Sequence, residues 1–296
     1  MQAAMEPQKV VTLNLSKTVE AITNRFIASH PELFSASPSP EFPEDLYHIL
    51  DYVPVLFHDE SEDKYIDALM TAVETSYENG LYQFAYMQYH MLFMSSIYYV
   101  LLKLYYLHKE EFDNALYYLL KDRATAFYKN ENTKDGKLFF GSFAAINESD
   151  VFMLLKVIGV DANLEGQLKK LVKERNEYAH ANGRTINSDA YLMEKLNEYN
   201  QKVDKVFALL KPEILHMYQS ALTDPDFNDP DVREYADPAE QIQEFIRDHA
   251  LSICEINWCR KLDIRQFSEH PAYKQIKELH SAMRAYYKTI SEGEEE

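Results

Sequence analysis

Arg175, Asn176 and His180 fall close together in KKLVKERNEYAHANGR, residues 169–184. These side-chain types suit chemistry on an anion. An imidazole titrates near neutral pH and serves as a general acid or base. A guanidinium presents a fixed fork of donors to charged oxygens. An amide orients an imidazole or binds an oxygen directly. The neighbours agree: Lys169, Lys170, Lys173, Arg175 and Arg184 stand against Glu174 and Glu177, five positive charges against two negative, a local excess of +3. Such a segment attracts an anionic ligand. A plainer reading competes, because Arg, Asn and His near a helix C-terminus also satisfy terminal carbonyls and favour the helix dipole.

The spacing Arg-x-x-x-x-His means little by itself. It also joins Arg25 to His30 and Arg265 to His270. Both of those histidines precede proline, which disfavours helical geometry at the histidine. Neither of those arginines is followed by Asn, and both read as helix-boundary residues. RNEYAH differs in its Asn, in the Ala before its histidine and in its basic neighbours.

The element that positions these groups is a helix. Leu164, Leu168, Leu171, Val172 and Tyr178 recur at helical spacing and predict a helix over residues 162–181, ended by Asn182-Gly183. At about 100° per residue, Asn176 and His180 lie about 40° apart, and Arg175 lies about 140° from His180. The three do not converge on one point. Either the long arginine stem reaches around, or a second copy of the helix completes the cleft. Further helices are expected over residues 10–29, 46–57, 61–78, 81–109, 114–128 and 149–158. A long one begins at Asn187 or Ser188 and is ended or kinked at Pro212, and two more cover 239–262 and 272–290. Proline-rich SASPSPEFPED links the first two, and Asp135-Gly136 tips a polar turn.

Composition narrows the class. The chain has 296 residues, only seven glycines and abundant Tyr, Leu, Glu and Lys, which favours helix over sheet. Net charge is −18, and it sits in the flanks: 4 basic and 14 acidic side chains in residues 1–80, 9 and 17 in 223–296, 17 and 17 in 81–222. That balance argues against a general nucleic-acid coat protein. Cys254 and Cys259 fit no metal-ligand or disulfide spacing, which predicts a reduced, intracellular protein. The opening MQAAMEPQKVV predicts no secretory leader. Residues 81–102 carry no charge but hold Gln83, Gln88, His90, Ser95, Ser96 and five tyrosines, which predicts a buried helix rather than a membrane span. The acidic stretch from Thr223 to Pro238 fails as a calcium loop, with Asp229 where glycine is needed and Tyr235 where a bidentate Glu belongs. Glycine-rich phosphate loops, nucleophile elbows and His-Glu-x-x-His motifs are absent.

Arg175-Asn176-x-x-Ala179-His180, near the end of one helix and followed by another long helix, resembles the signature of the HEPN superfamily. The likeness covers these six residues and suits the helical layout of 81–222. It does not extend to residues 1–60 or 239–296. It implies a HEPN-like helical bundle over 81–222; the helical patterns and charge counts read above make the whole chain all-α, with an acidic N-terminal helical extension over 1–80 and an acidic linker with a C-terminal helical extension over 223–296. It further implies a cytoplasmic, homodimeric, metal-independent endoribonuclease with no cofactor, in a toxin–antitoxin or antiviral defence role. The implied partners are RNA, with tRNA a candidate, and an antitoxin or other regulatory protein. In such an enzyme the ribose 2′-OH attacks the adjacent phosphorus, giving a 2′,3′-cyclic phosphate and a 5′-OH. His180 would be general base or acid, one from each subunit. Arg175 would stabilise the phosphorane, and Asn176 would orient His180 or bind phosphate. Lys169, Lys170, Lys173 and Arg184 would contact the backbone, and Tyr178 would either stack a base or pack in the core. Other members of the superfamily are catalytically inactive binding modules, so a silent dimeric interaction module is the alternative.

Overall fold

The computed structural model describes residues 42–292, except 130–132, 135–136 and 181. The helix expected over 10–29, Arg25, His30, most of the proline-rich link and the Asp135-Gly136 tip lie outside the described residues. Every regular element among the described residues is helical, so the fold is all-α. The principal helices are α1 (Glu60–Glu78), α2 (Tyr82–Leu107), α3 (Lys109–Leu120), α4 (Ala162–Ala179), α5 (Asp189–Thr223), α6 (Pro238–Asp248), α7 (Ile253–Arg260) and α8 (Tyr273–Glu292).

α2 is the axis of the molecule. It is apolar on nearly every side because α1, α4 and α5 all pack on it. Its polar groups are satisfied from within. Ser95 and Ser96 donate to the carbonyls of Met91 and Phe93 at 2.8 Å each. Tyr89 donates to Asn200 Oδ1 at 2.5 Å and Tyr99 to Glu62 at 2.9 Å. Among the described residues, no helix is long and apolar enough to cross a membrane.

α1 and α2 are joined by Asn79-Gly80, where Gly80 takes φ +66°, a conformation that favours glycine. The boundary drawn at residue 80 therefore falls in a tight turn between two packed helices. One apolar core runs from Leu46 to Met283 and includes side chains of α6, α7 and α8.

Five local expectations change. The helix expected over 46–57 is a helical turn, Glu44–Tyr47, and a 3₁₀ helix, His48–Tyr52, and the one expected over 149–158 is a turn, Glu148–Val151, followed by a 3₁₀ helix, Phe152–Ile158. α5 does not end at Pro212 but carries the proline inside the helix. The proline and Ala208, whose carbonyl loses its helical donor there, are both exposed, so water can serve the carbonyl. The helix expected over 239–262 is two helices. Ala250 takes φ +47°, and Ser252 starts α7 with a reciprocal capping box to Glu255. The helix expected over 114–128 starts at Lys109 and ends at Leu120.

Candidate functional site

Asp161 starts α4 by accepting from the Leu164 amide at 2.7 Å. Leu164, Leu168, Leu171 and Tyr178 form its buried stripe. Steps of four, three, four and three residues carry that stripe through position 175, so Arg175 is the charged member of an inward row. Asn176 and His180 lie on the other side. The helix ends at Ala179 rather than 181, with His180 as an extended C-cap at φ −97°, ψ 152°. Its amide still donates to the Asn176 carbonyl at 3.2 Å. Gly183 then turns the chain at φ +81°.

The motif is thus split. Arg175 points inward, its side chain 19 % exposed, and its Nη2 donates to Glu148 Oε2. Its Nε is buried with no partner among the described residues. Glu148 belongs to the helical turn Glu148–Val151, capped by Asn147. The same Glu148 oxygen lies 3.3 Å from Nε2 of buried His90, whose Nδ1 is 2.8 Å from Tyr199 Oη. Tyr199 Oη lies in turn 3.3 Å from Tyr86 Oη. A carboxylate only accepts, so His90 Nε2 donates to Glu148 and Nδ1 accepts from Tyr199. Burial, reinforced by the Arg175 charge, lowers the His90 pKa to about 3. The His90–Glu148 contact is therefore a hydrogen bond from a neutral imidazole, not an ion pair.

A pH dependence follows. Unfolding returns His90 toward its ordinary 6.5, so the unfolded chain binds more protons between pH 6.5 and about 3. Stability falls as pH drops through that window, by about 1.4 kcal/mol per pH unit for this group. Melting at pH 7 and pH 5 is expected to show a lower Tm at pH 5. The loss should be smaller in His90→Gln, and an equal loss in both proteins would remove His90 as a cause.

The outward residues present a different picture. His180 is exposed and Asn176 half-buried, and neither side chain is bonded to a described residue. Lys173 is exposed and forms no ion pair with a described residue. From Lys173, Asn176 is about 60° and His180 about 20° around the helix, so the three share one stripe. The other predicted cations are engaged. Lys169 bonds Glu165 at 2.6 Å, and Lys156 reaches the same carboxylate at 3.0 Å. The Lys169 hydrogen bond, joined by Lys156, holds Glu165 below the usual carboxylate range. Lys170 lies 3.3 Å from Glu174, and Arg184 pairs with Glu177. Tyr178 is 7 % exposed, edge-on to Tyr86, with its hydroxyl 2.6 Å from that of Tyr191. Burial first, then Tyr191, raises its pKa to about 12. Tyr178 packs in the core, the second of its two expected roles.

The second spacing match is a boundary feature. Arg265 is held by Asp263 through two bonds of 2.8 and 2.7 Å, and His270 Nδ1 accepts from the Ala272 amide. Among the described residues, no group of three or more His, Cys, Asp or Glu side chains is arranged to hold a metal ion. Sequence reading missed Glu148 as the partner of Arg175, and His90 as the second group on that carboxylate. The one available signal was the charged residue in an apolar stripe, which requires a buried counter-charge without saying which.

Fold and site together define an all-α protein with an exposed polar face at a helix end. Comparisons with family models, curated proteins and solved structures found no match.

Proposed function

We propose that the chain is a HEPN-type, metal-independent endoribonuclease whose working face is Lys173, Asn176 and His180. The observation that carries this reading is that His180 and Asn176 stand at the end of α4 with side chains bonded to no described residue. They share that stripe with the unpaired Lys173, while the surrounding cations are paired. The His180 imidazole takes the proton of the ribose 2′-OH as that oxygen bonds to phosphorus. The bond to the 5′ oxygen breaks, and that oxygen receives a proton from the imidazole of a second copy. Lys173 and Asn176 bind the non-bridging oxygens. Arg175 serves from inside, fixing the last turn of α4 to Glu148. A homodimer places two such faces together. Leu81, Phe84 and Met91, 42, 60 and 43 % exposed, offer an apolar surface beside the site, where Gln83 donates to the Tyr178 carbonyl at 2.8 Å. A cytoplasmic toxin or antiviral role, checked by an antitoxin or regulatory protein, belongs to the same reading.

The test is incubation of purified full-length protein with tRNA and total RNA in EDTA. Wild type is expected to cleave. Arg175→Ala is expected to lose cleavage together with stability, because it strands the partly buried Glu148 carboxylate and loosens the helix end. A variant with wild-type Tm and no cleavage would return Arg175 to the reacting phosphate. A second reading is favoured by the Arg175–Glu148 pair and the neutralised lysines: a catalytically silent dimeric interaction module. Absence of cleavage in wild type, with a dimer in sedimentation, selects it.

A further inference from the structure

The last turn of α4 is held from its inward side at two residues. Arg175 donates to Glu148 Oε2. The Tyr178 ring lies edge-on to Tyr86, with centroids 5.4 Å apart. Both contacts lead to one buried pair, His90 on α2 and Tyr199 on α5. His90 Nε2 lies 3.3 Å from the same carboxylate oxygen that Arg175 uses, and its Nδ1 lies 2.8 Å from Tyr199 Oη. That hydroxyl lies 3.3 Å from Tyr86 Oη, and the two tyrosine rings meet edge-on at 5.7 Å. His90 and Tyr199 therefore stand behind both the polar and the aromatic contact to the helix end.

Glu148 cannot hold Arg175 in place unaided. It stands on a four-residue turn, and its side chain is partly exposed. Such a side chain keeps its rotamer freedom unless a fixed partner removes it. His90 is that partner: a buried imidazole, itself fixed at Nδ1 by Tyr199, which anchors the carboxylate to the core. Arg175 depends on that anchor, because its bond to the described residues runs through Nη2 while its buried Nε has no partner among them. Where the carboxylate moves, the guanidinium and the turn that carries it follow. Asn176 and His180 belong to the same turn and its cap.

We propose that His90 and Tyr199 are positioning residues for the polar face of α4: they hold Glu148, and through it Arg175, so that the helix end presents Asn176 and His180 in one arrangement. The effect on cleavage rests on the ribonuclease reading, whereas the hold on the helix end does not. Three variants of the full chain test both. Tyr199→Phe removes one hydroxyl and keeps the ring. His90→Leu removes both bonds of the imidazole. His90→Gln restores them, since an amide can accept from Tyr199 and donate to Glu148. Amide hydrogen exchange is followed by NMR at residues 176–180, with residues 164–170 and α8 as references. Exchange at 176–180 is expected to quicken about fivefold in Tyr199→Phe and His90→Leu, as for one lost hydrogen bond. The references should stay unchanged, and His90→Gln should stay close to wild type. Cleavage by Tyr199→Phe and His90→Leu should fall about ten- to hundredfold in kcat with KM unchanged, as for reacting groups displaced by about an ångström. Tyr199→Phe decides alone where His90→Leu does not fold. Unchanged exchange at 176–180, or equal quickening at the references, overturns the assignment whether or not wild type cleaves RNA. Quickened local exchange with wild-type kcat also overturns it. Quickened local exchange in a protein that never cleaves keeps the hold on the helix end and removes the catalytic reading.

Discussion

His180→Ala is expected to lower EDTA-resistant RNA cleavage by about 10²- to 10⁴-fold, the range for loss of a general acid or base, while leaving the melting temperature within about 2 °C of wild type. Both halves follow from geometry. His180 is an exposed C-cap whose backbone amide, not its imidazole, bonds the helix. Its side chain contributes nothing to the core, and exposed substitutions typically change stability by no more than about 0.5 kcal/mol. In a dimer the same substitution removes base and acid together, so the effect should lie at the upper end of that range. Lys173→Ala should weaken cleavage less, because a backbone contact positions substrate without moving a proton. A His180→Ala protein that melts normally and cleaves as wild type would place any activity elsewhere.

Lys103→Ala is expected to cost about 3–5 kcal/mol, the range for breaking a buried ion pair from one side. The Lys103 and Glu255 side chains are 4 and 0 % exposed, and the ammonium reaches both carboxylate oxygens at 2.8 and 2.6 Å. Glu255 also accepts from the Ser252 amide at 2.7 Å, so one carboxylate holds the start of α7 and ties it to α2. Without Lys103 that charge stays buried with a single amide for company. Set against a total stability of about 5–15 kcal/mol, the loss takes much of the margin. Lys103→Met with Glu255→Leu removes both charges and is expected to be more stable than either single substitution. Urea denaturation of the four proteins measures this. Single variants as stable as wild type would mean that water reaches the pair.

These two residues mark what the sequence could and could not tell. Position 180 was legible because the signal is local: an apolar stripe, a polar end and a glycine just beyond. The helix itself was placed within two residues for the same reason, and α2 was recognised as a buried helix from its polar interruptions. Lys103 was not legible. It sits in an apolar helix like any boundary lysine, and its partner is 152 residues away. Arg175 was half legible. Its angle from His180 follows from helix geometry, but its capture by Glu148 depends on a turn 27 residues earlier. Whether Pro212 would end its helix was not legible, because the cost of a proline depends on whether the orphaned carbonyl meets water, which is a tertiary fact. The break at Ala250 had no glycine or proline to announce it.

The chemistry of the RNA ends tests the central claim most directly. Wild-type protein is incubated with RNA in EDTA, and the new termini are read by phosphorus NMR and by sensitivity to phosphatase and kinase. The expected result is a 2′,3′-cyclic phosphate facing a 5′-OH, absent from the His180→Ala reaction. New 5′-phosphate and 3′-OH ends, or intact RNA under every condition, would contradict it.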